Sequence, residues 1–306
     1  MAGPSSRWVT LEAQDLNIRR FMRTIDYIKV LSTTADLCGL DRDNLSSHEF
    51  KKIRDAHSNR LATAYEWCEW PELIRCEKRY LRADYDSTTT YAAGDVVYYA
   101  STDKYYQASQ AATNILPTVT THWAVVTRAD FDPYISLTQA GKTEIGTVFG
   151  LYDKDPARYE TLEAFDWHLS NNGIQVTDNK TFAWVEFRVR APEIDGDSWG
   201  QSSTYSVGDQ VYFSNSSTPG NFYNCTAATS SGESPATTPS KWTVVQIPYI
   251  FGRYLAHAGY ADYLTSDQQS ERKAAEELFA TELLTNQVTL VAGQQGQYRR
   301  VAVLTR

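Results

Sequence analysis

Part of this chain is written twice, and that constrains its fold more than any other feature. Thr90-Tyr91-Ala92-Ala93-Gly94-Asp95-Val96-Val97-Tyr98-Tyr99 matches Thr204-Tyr205-Ser206-Val207-Gly208-Asp209-Gln210-Val211-Tyr212-Phe213 without a gap. Further on, Tyr106-Gln107-Ala108 answers Tyr223-Asn224-Cys225, Ala111-Ala112-Thr113 answers Ala227-Ala228-Thr229, Pro117 answers Pro235, and Trp123-Ala124-Val125-Val126 answers Trp242-Thr243-Val244-Val245. Self-similarity of this kind means one small supersecondary unit used twice. Gly-Asp marks a turn before each Val-x-Tyr or Val-x-Phe run, and Ser, Thr, Asn, Gly and Pro fill the links, so each copy reads as short strands joined by turns. A unit of about 45 residues has little interior. Its rings must first be counted as that interior, which assigns Tyr91, Trp123, Tyr205 and Trp242 to packing.

The repeats bound two inserted β-modules, residues 84–127 and 197–246, which carry fourteen of the chain's 39 aromatic residues and −5 of its net charge of −8. What remains, 1–83 with 128–196 and 247–306, is a nearly neutral host. An acidic chain is a poor duplex binder, because such proteins gain affinity by neutralising phosphates with Lys and Arg.

The host reads as mixed helix and strand. Ser46-Ser47-His48-Glu49 is a capping box, and Phe50, Ile53, His57, Leu61, Ala64 and Cys68 follow at helical steps until Trp70-Pro71 ends the run. An earlier helix is expected to carry Phe21, Ile25, Ile28 and Leu31 on one face before Cys38-Gly39-Leu40. Val185, Phe187 and Val189 alternate with Glu186, Arg188 and Arg190 as in a half-buried strand, and Asn171-Asn172-Gly173 supplies a turn before a partner strand at 174–176. Ser270–Asn286 returns to helix with Ala274, Leu278 and Leu283 as its inner face. The fold class expected is therefore α+β, a helical host with a small β part plus two small all-β modules.

Motifs for chemistry are sparse. Cys38, Cys68, Cys76 and Cys225 lack C-x-x-C spacing and the five histidines lack paired-ligand spacing, so neither a metal nor another cofactor is expected. Gly141-Lys142-Thr143 lacks the earlier glycine of a phosphate loop, since position 136 is Ser. Asp95 and Asp209 follow turn glycines, where a carboxylate capping backbone N–H groups explains them better than glycoside hydrolysis. No serine, histidine and aspartate set can be nominated, and no enzyme is expected. With no apolar run near 18 residues and no apolar leader after Met1, membrane insertion is not expected and synthesis in a cytoplasm is. Arg188, Arg190, Arg299, Arg300 and Arg306 cluster loosely, and the ending Gln294-Gln295-Gly296-Gln297-Tyr298-Arg299-Arg300 is polar and basic. It reads as a mobile tail or one that orders on a partner.

The Tyr-x-x-Gly-Asp-x-Val-x-Tyr … Tyr-x-Ala … Pro … Trp pattern of the first copy resembles the chitin-binding-like carbohydrate-binding modules of type 5/12. That resemblance implies sugar stacking on exposed rings. The family commonly has aromatics just after the Tyr-x-Ala strand, where this chain has Gln110-Ala111-Ala112 and Thr226-Ala227-Ala228. Tyr99, Tyr105, Phe213 and Phe222 are then the candidates for another platform.

The host resembles the head-to-tail adaptor, or neck, proteins of tailed bacteriophages. The residues concerned are Tyr65-Glu66-Trp67-Cys68-Glu69-Trp70-Pro71-Glu72-Leu73, Glu144-Ile145-Gly146-Thr147-Val148 with Tyr152-Asp153-Lys154-Asp155-Pro156, Asn172-Gly173-Ile174-Gln175-Val176 leading to Trp184-Val185-Glu186-Phe187-Arg188, and the polar ending. The resemblance implies a virion neck protein forming a homo-oligomeric, dodecameric ring between the portal protein and a tail or stopper protein. DNA would pass through its channel without sequence recognition. It further implies that Gln297, Tyr298, Arg299 and Arg300 contact the portal, while the modules decorate the outside, where they can meet host surface glycans. The alternative is a soluble carbohydrate-binding protein with no assembly role.

Overall fold

A computed structural model describes residues 23–42, 44–139, 142–177, 181–266 and 269–294. The chain is an α+β protein, with four α-helices among the described residues: α1 (Tyr27–Cys38), α2 (Ser47–Glu66), α3 (Gly252–Ser266) and α4 (Ser270–Gln294).

The capping box of α2 forms as the spacing requires. The Glu49 N–H donates to the Ser46 hydroxyl at 3.3 Å and the Ser46 N–H to the Glu49 carboxylate at 2.9 Å, which satisfies two end groups reciprocally. Phe50, Ile53, His57, Leu61 and Ala64 form its buried face, while Cys68 lies past its end. Helix α1 starts later than the apolar steps suggest. Asp26 holds extended backbone, so Ile25 lies in a two-residue strand paired with Ile247, and Tyr27, Val30, Leu31, Thr34 and Ala35 make the inner face. Phe21 lies outside the described residues. Gly39, at φ 71°, ends α1, with its N–H on Asp36 O and the Leu40 N–H on Ala35 O at 2.9 Å.

Helix α4 buries Ala280 and Leu284. Leu278 is 71% exposed, so the face expected from Ala274, Leu278 and Leu283 is rotated by about one residue, 100° of helix. Charge explains the choice. Rotation brings Glu277 inward, where its carboxylate meets both sides of the Arg60 guanidinium at 2.6 and 2.7 Å. Asp262 of α3 holds the same guanidinium at 2.7 and 2.8 Å, so one arginine of α2 ties α3 and α4 together.

The alternating strand is Phe182–Val189, but its partners are not residues 174–176. It lies between Ile74–Tyr80 and Ile145–Tyr152, antiparallel to both. Gly173–Val176 instead forms a hairpin with Trp167–Ser170 through Asn171-Asn172, with Tyr134–Ile135 on its other edge. A turn so tight returns the chain onto the strand before it, which leaves Phe182–Val189 to a long-range partner.

The two copies of the repeat fold alike, register for register. Val97 pairs with Tyr106 and Tyr98 with Tyr105; Val211 pairs with Tyr223 and Tyr212 with Phe222. Each hairpin then adds a third strand, Trp123–Val126 or Trp242–Val244. At equivalent entry points Asp84 bridges Tyr98 and Ser198 pairs with Tyr212, both parallel.

Strand alternation gives each hairpin two apolar faces. One packs the copy's own interior: Val97, Tyr106 and Trp123, or Val211, Cys225 and Trp242. The other packs against the host. Tyr98 and Tyr105 join the cluster of Leu81, Ile135, Leu151 and Phe187, with Tyr98 stacked on Tyr80 at 3.7 Å. Phe222 and Val245 join the helical core, with Phe222 4.7 Å from Tyr27 and Tyr212 5.0 Å from Phe50. The second copy also caps α1: Tyr27 N–H donates to Asn221 Oδ1 at 2.7 Å and Ile28 N–H to Gly220 O at 2.8 Å. A side chain at Gly220 would collide with the Tyr212 hydroxyl.

Candidate functional site

Tyr99, Tyr105, Phe213 and Phe222 do not share a surface. In each hairpin the two candidates fall on opposite faces, because neighbouring residues along a strand alternate. Tyr105 and Phe222 face the host and are 4% and 1% exposed; the Tyr105 hydroxyl accepts from Leu81 N–H and donates to Thr181 O. Phe213 is buried edge-on to Trp199 at 5.6 Å, and half-buried Tyr99 meets Tyr85 at 5.8 Å in the corresponding contact. Rings used in this way offer no open platform for a sugar. The tail candidates Gln297, Tyr298, Arg299 and Arg300 lie outside the described residues.

The second copy instead opens a cleft of about 520 Å³ beside its hairpin, lined by Trp199, Tyr212, Phe213, Asn215, Ser234 and Thr237 among others. That volume suits a small ligand. Its lining contains aromatic edges, hydroxyls and amides and no charged side chain. Asn215 Oδ1 accepts from the Ser217 and Thr218 N–H groups, fixing the loop, and Ser234 and Thr237 exchange hydrogen bonds across a turn. Such a lining favours a neutral, hydroxylated guest over an anion or cation. Phe213 is the one sequence candidate in it. Trp199 escapes the ungapped match because it precedes it, although it stands where Tyr85 stands in the first copy: Tyr85 N–H and Trp199 N–H donate to Tyr98 O and Tyr212 O, each at 2.8 Å.

Asp95 and Asp209 accept from Ala92 N–H and Ser206 N–H, each at 2.7 Å, after Gly94 and Gly208 at φ 99° and 98°. They close turns. Thr143 donates to Glu77 at 2.6 Å and its carbonyl accepts from Arg79, so this stretch is tied to the sheet; Gly141 lies outside the described residues. Arg188 donates to the Tyr65 and Cys68 carbonyls at the end of α2, and Arg190 to Glu144 and Glu193. This basic pair serves the fold's own helix end and acids.

The junction between the second copy and the helices is held by charged hydrogen bonds. Lys51 and Arg54 of α2 grip Asp197 at 2.9 and 2.8 Å. The Lys51 hydrogen bond, followed by that of Arg54, holds its carboxyl below the usual range against partial desolvation. Beneath them His57 is buried, with Thr34 Oγ1 2.9 Å from Nε2 and the Tyr27 hydroxyl 3.1 Å from Nδ1. Burial pushes the His57 pKa down to about 3, with Asp262 opposing weakly, so the ring is neutral. Among the described residues no cluster of His, Cys, Asp and Glu could hold a metal ion, and no helix is long and apolar enough to cross a membrane.

Comparison of the chain with protein-family models, curated proteins and solved structures finds no match.

Proposed function

We propose that this chain is a structural virion protein of a tailed bacteriophage: a head-to-tail adaptor whose copies form a ring between portal and tail, with a channel for DNA. It has a discontinuous α+β host and two inserted β-modules, the latter on the outside. The observation that carries the reading is the double use of each repeat hairpin. One face closes the module and the other is packed into a host core, so the modules are joined to the host by shared interior and not by a tether. A ring subunit that must keep its shape while DNA is forced through the neck needs such attachment. A nearly neutral host also suits a channel, because few phosphate contacts leave DNA free to slide. The tail is proposed to engage the portal through Gln297, Tyr298, Arg299 and Arg300.

Electron microscopy of virions carrying a tag on the exposed Ser216–Ser217 turn tests this. Density at the neck between portal and tail is expected; virions without the protein, or with it elsewhere, would refute the placement.

A second reading, a soluble carbohydrate-binding protein, is favoured by the uncharged cleft beside Trp199. Glycan-array binding that weakens at least tenfold in Gln201→Ala and Asn215→Ala, both exposed positions, would support it. Absence of binding by the unaltered protein would remove it. Glycan contact by a module on an assembled neck is compatible with both.

A further inference from the structure

We propose that copies of this chain meet through two unlike patches: an acidic, tryptophan-bearing corner at the end of α2 on one copy, and an apolar groove rimmed by arginines at the start of α3 on the next. The inference rests on the reading of the chain as a ring subunit, since a ring closes when unlike surfaces meet in one repeated sense. The corner is built by Glu66-Trp67-Cys68-Glu69-Trp70-Pro71-Glu72. Trp70 turns into the core, while Trp67 is left 43% exposed. Glu66, Glu69 and Glu72 are exposed, and among the described residues no ion pair engages their carboxylates. Arg75 and Arg188 lie close by, but they donate to the backbone carbonyls of Glu72, Ile74, Tyr65 and Cys68. Carboxylates at a helix C-terminus with no basic residue in its last turn oppose the partial negative charge of that end.

The groove has the opposite character. It encloses about 140 Å³ between Ile25, Tyr249, Ile250, Arg253, Leu283 and Gln287, among others, with no acidic side chain in its lining. Arg253 is the second residue of α3, whose first turn carries no acid, so this cation also stands at the helix end of its own sign. The Arg23 guanidinium lies 3.8 Å over the Tyr249 ring, which is 46% exposed. Both arginines are exposed and form no ion pair among the described residues. Tyr65 and Trp70 pack on Phe251 at 5.5 and 5.3 Å, which puts corner and groove at one end of the helices. Each patch therefore carries the charge that its own helix end disfavours and that the other patch accepts. That complementarity identifies the occupant of the groove as a second copy. Trp67 supplies the apolar anchor, the residue type that most often dominates an interface, and the glutamates around it meet the arginines and the positive end of α3.

Photo-crosslinking of the full chain tests the contact, with benzoylphenylalanine incorporated in place of Tyr249 and equal amounts of light and ¹⁵N-labelled protein mixed, both alone at high micromolar concentration and on isolated portal rings. Crosslinks from one copy to residues 66–72 of another are expected. Reversing the corner (Glu66→Arg with Glu69→Arg) or the rim (Arg23→Glu with Arg253→Glu) should lower their yield at least tenfold, and the two reversals together should restore it. Trp67→Ala should lower it as much. The corner reversal should not lower the unfolding midpoint, because arginines suit a helix C-terminus, and this separates a lost contact from a lost fold. Crosslinks only within one copy, crosslinks to other residues, none at all, or a yield that the combined reversal fails to restore would overturn the proposal. The neck reading fails separately. Copies that crosslink as expected but never load onto portal rings would support the contact and refute the neck, whereas copies that load with Tyr249 crosslinked elsewhere would refute only the contact.

Discussion

Phe222 lies on the second strand of one repeat hairpin and Tyr99 on the first strand of the other, and the two have different work. Phe222 is 1% exposed and fills the helical core, so Phe222→Ala removes both the transfer energy of a ring and the packing around it, about 3–5 kcal/mol. Tyr99 is half-buried on the small module's own face, and Tyr99→Ala is expected to cost less than half as much. Urea unfolding measures both; equal costs would contradict the assignment of Phe222 to the shared core. His57 gives a pH signature at the same scale. Its folded pKa is about 3 against an unfolded value near 6.5, so below pH 6.5 the unfolded chain takes up a proton that the folded one refuses. The stabilisation is complete above about pH 6.5 and is lost as pH falls towards 3, with a slope approaching ~1.4 kcal/mol per pH unit. Between pH 7.5 and 5 the unaltered protein should lose about 2 kcal/mol that His57→Gln does not. Parallel pH profiles for the two proteins would refute this.

At the scale of elements, local signals were legible where local chemistry decides. Ser46 and Glu49 specify the start of α2 through reciprocal hydrogen bonds, and the same pattern is readable in the letters. Ser46→Ala should cost about 1 kcal/mol and lower helix content only at that end, seen as faster amide exchange at residues 47–50. The repeat likewise disclosed its short strands and turns in both copies, while their pairing register is seen only in the fold. Signals failed where a distant partner decides. Ile25 carries a helical spacing but is drawn into a strand by Ile247, and α4 turns Glu277 inward because Arg60 and Asp262 await it. Two of the ring candidates, Tyr105 and Phe222, are closed off for a related reason. Composition marks Tyr105 and Phe222 as aromatic, but only the host's position shows that their faces are occupied. Asn221 illustrates the dependence in reverse, capping α1 from 194 residues away. Asn221→Ala leaves the Tyr27 N–H buried without that acceptor, at about 1–3 kcal/mol, and should destabilise α1 and the second hairpin together in a single transition. Separate transitions would show that the module is merely tethered.

At the scale of the whole molecule, −8 is a misleading number. Most of the net charge belongs to the two repeats, and the host that would line a channel or meet a portal is close to neutral. The repeats are bound into two different cores, one through Tyr98 and Tyr105 and the other through Tyr212 and Phe222. That construction suits a member of an assembly better than a free binding module on a linker. Mass photometry of the purified protein mixed with isolated portal rings tests this most directly. Addition of a ring of adaptor copies to each portal is expected, and it should be abolished when residues 295–306 are removed while the truncated protein keeps its unfolding midpoint. A protein that stays monomeric and never joins the portal, over micromolar concentrations and in the presence of the tail-side components, would contradict the adaptor assignment.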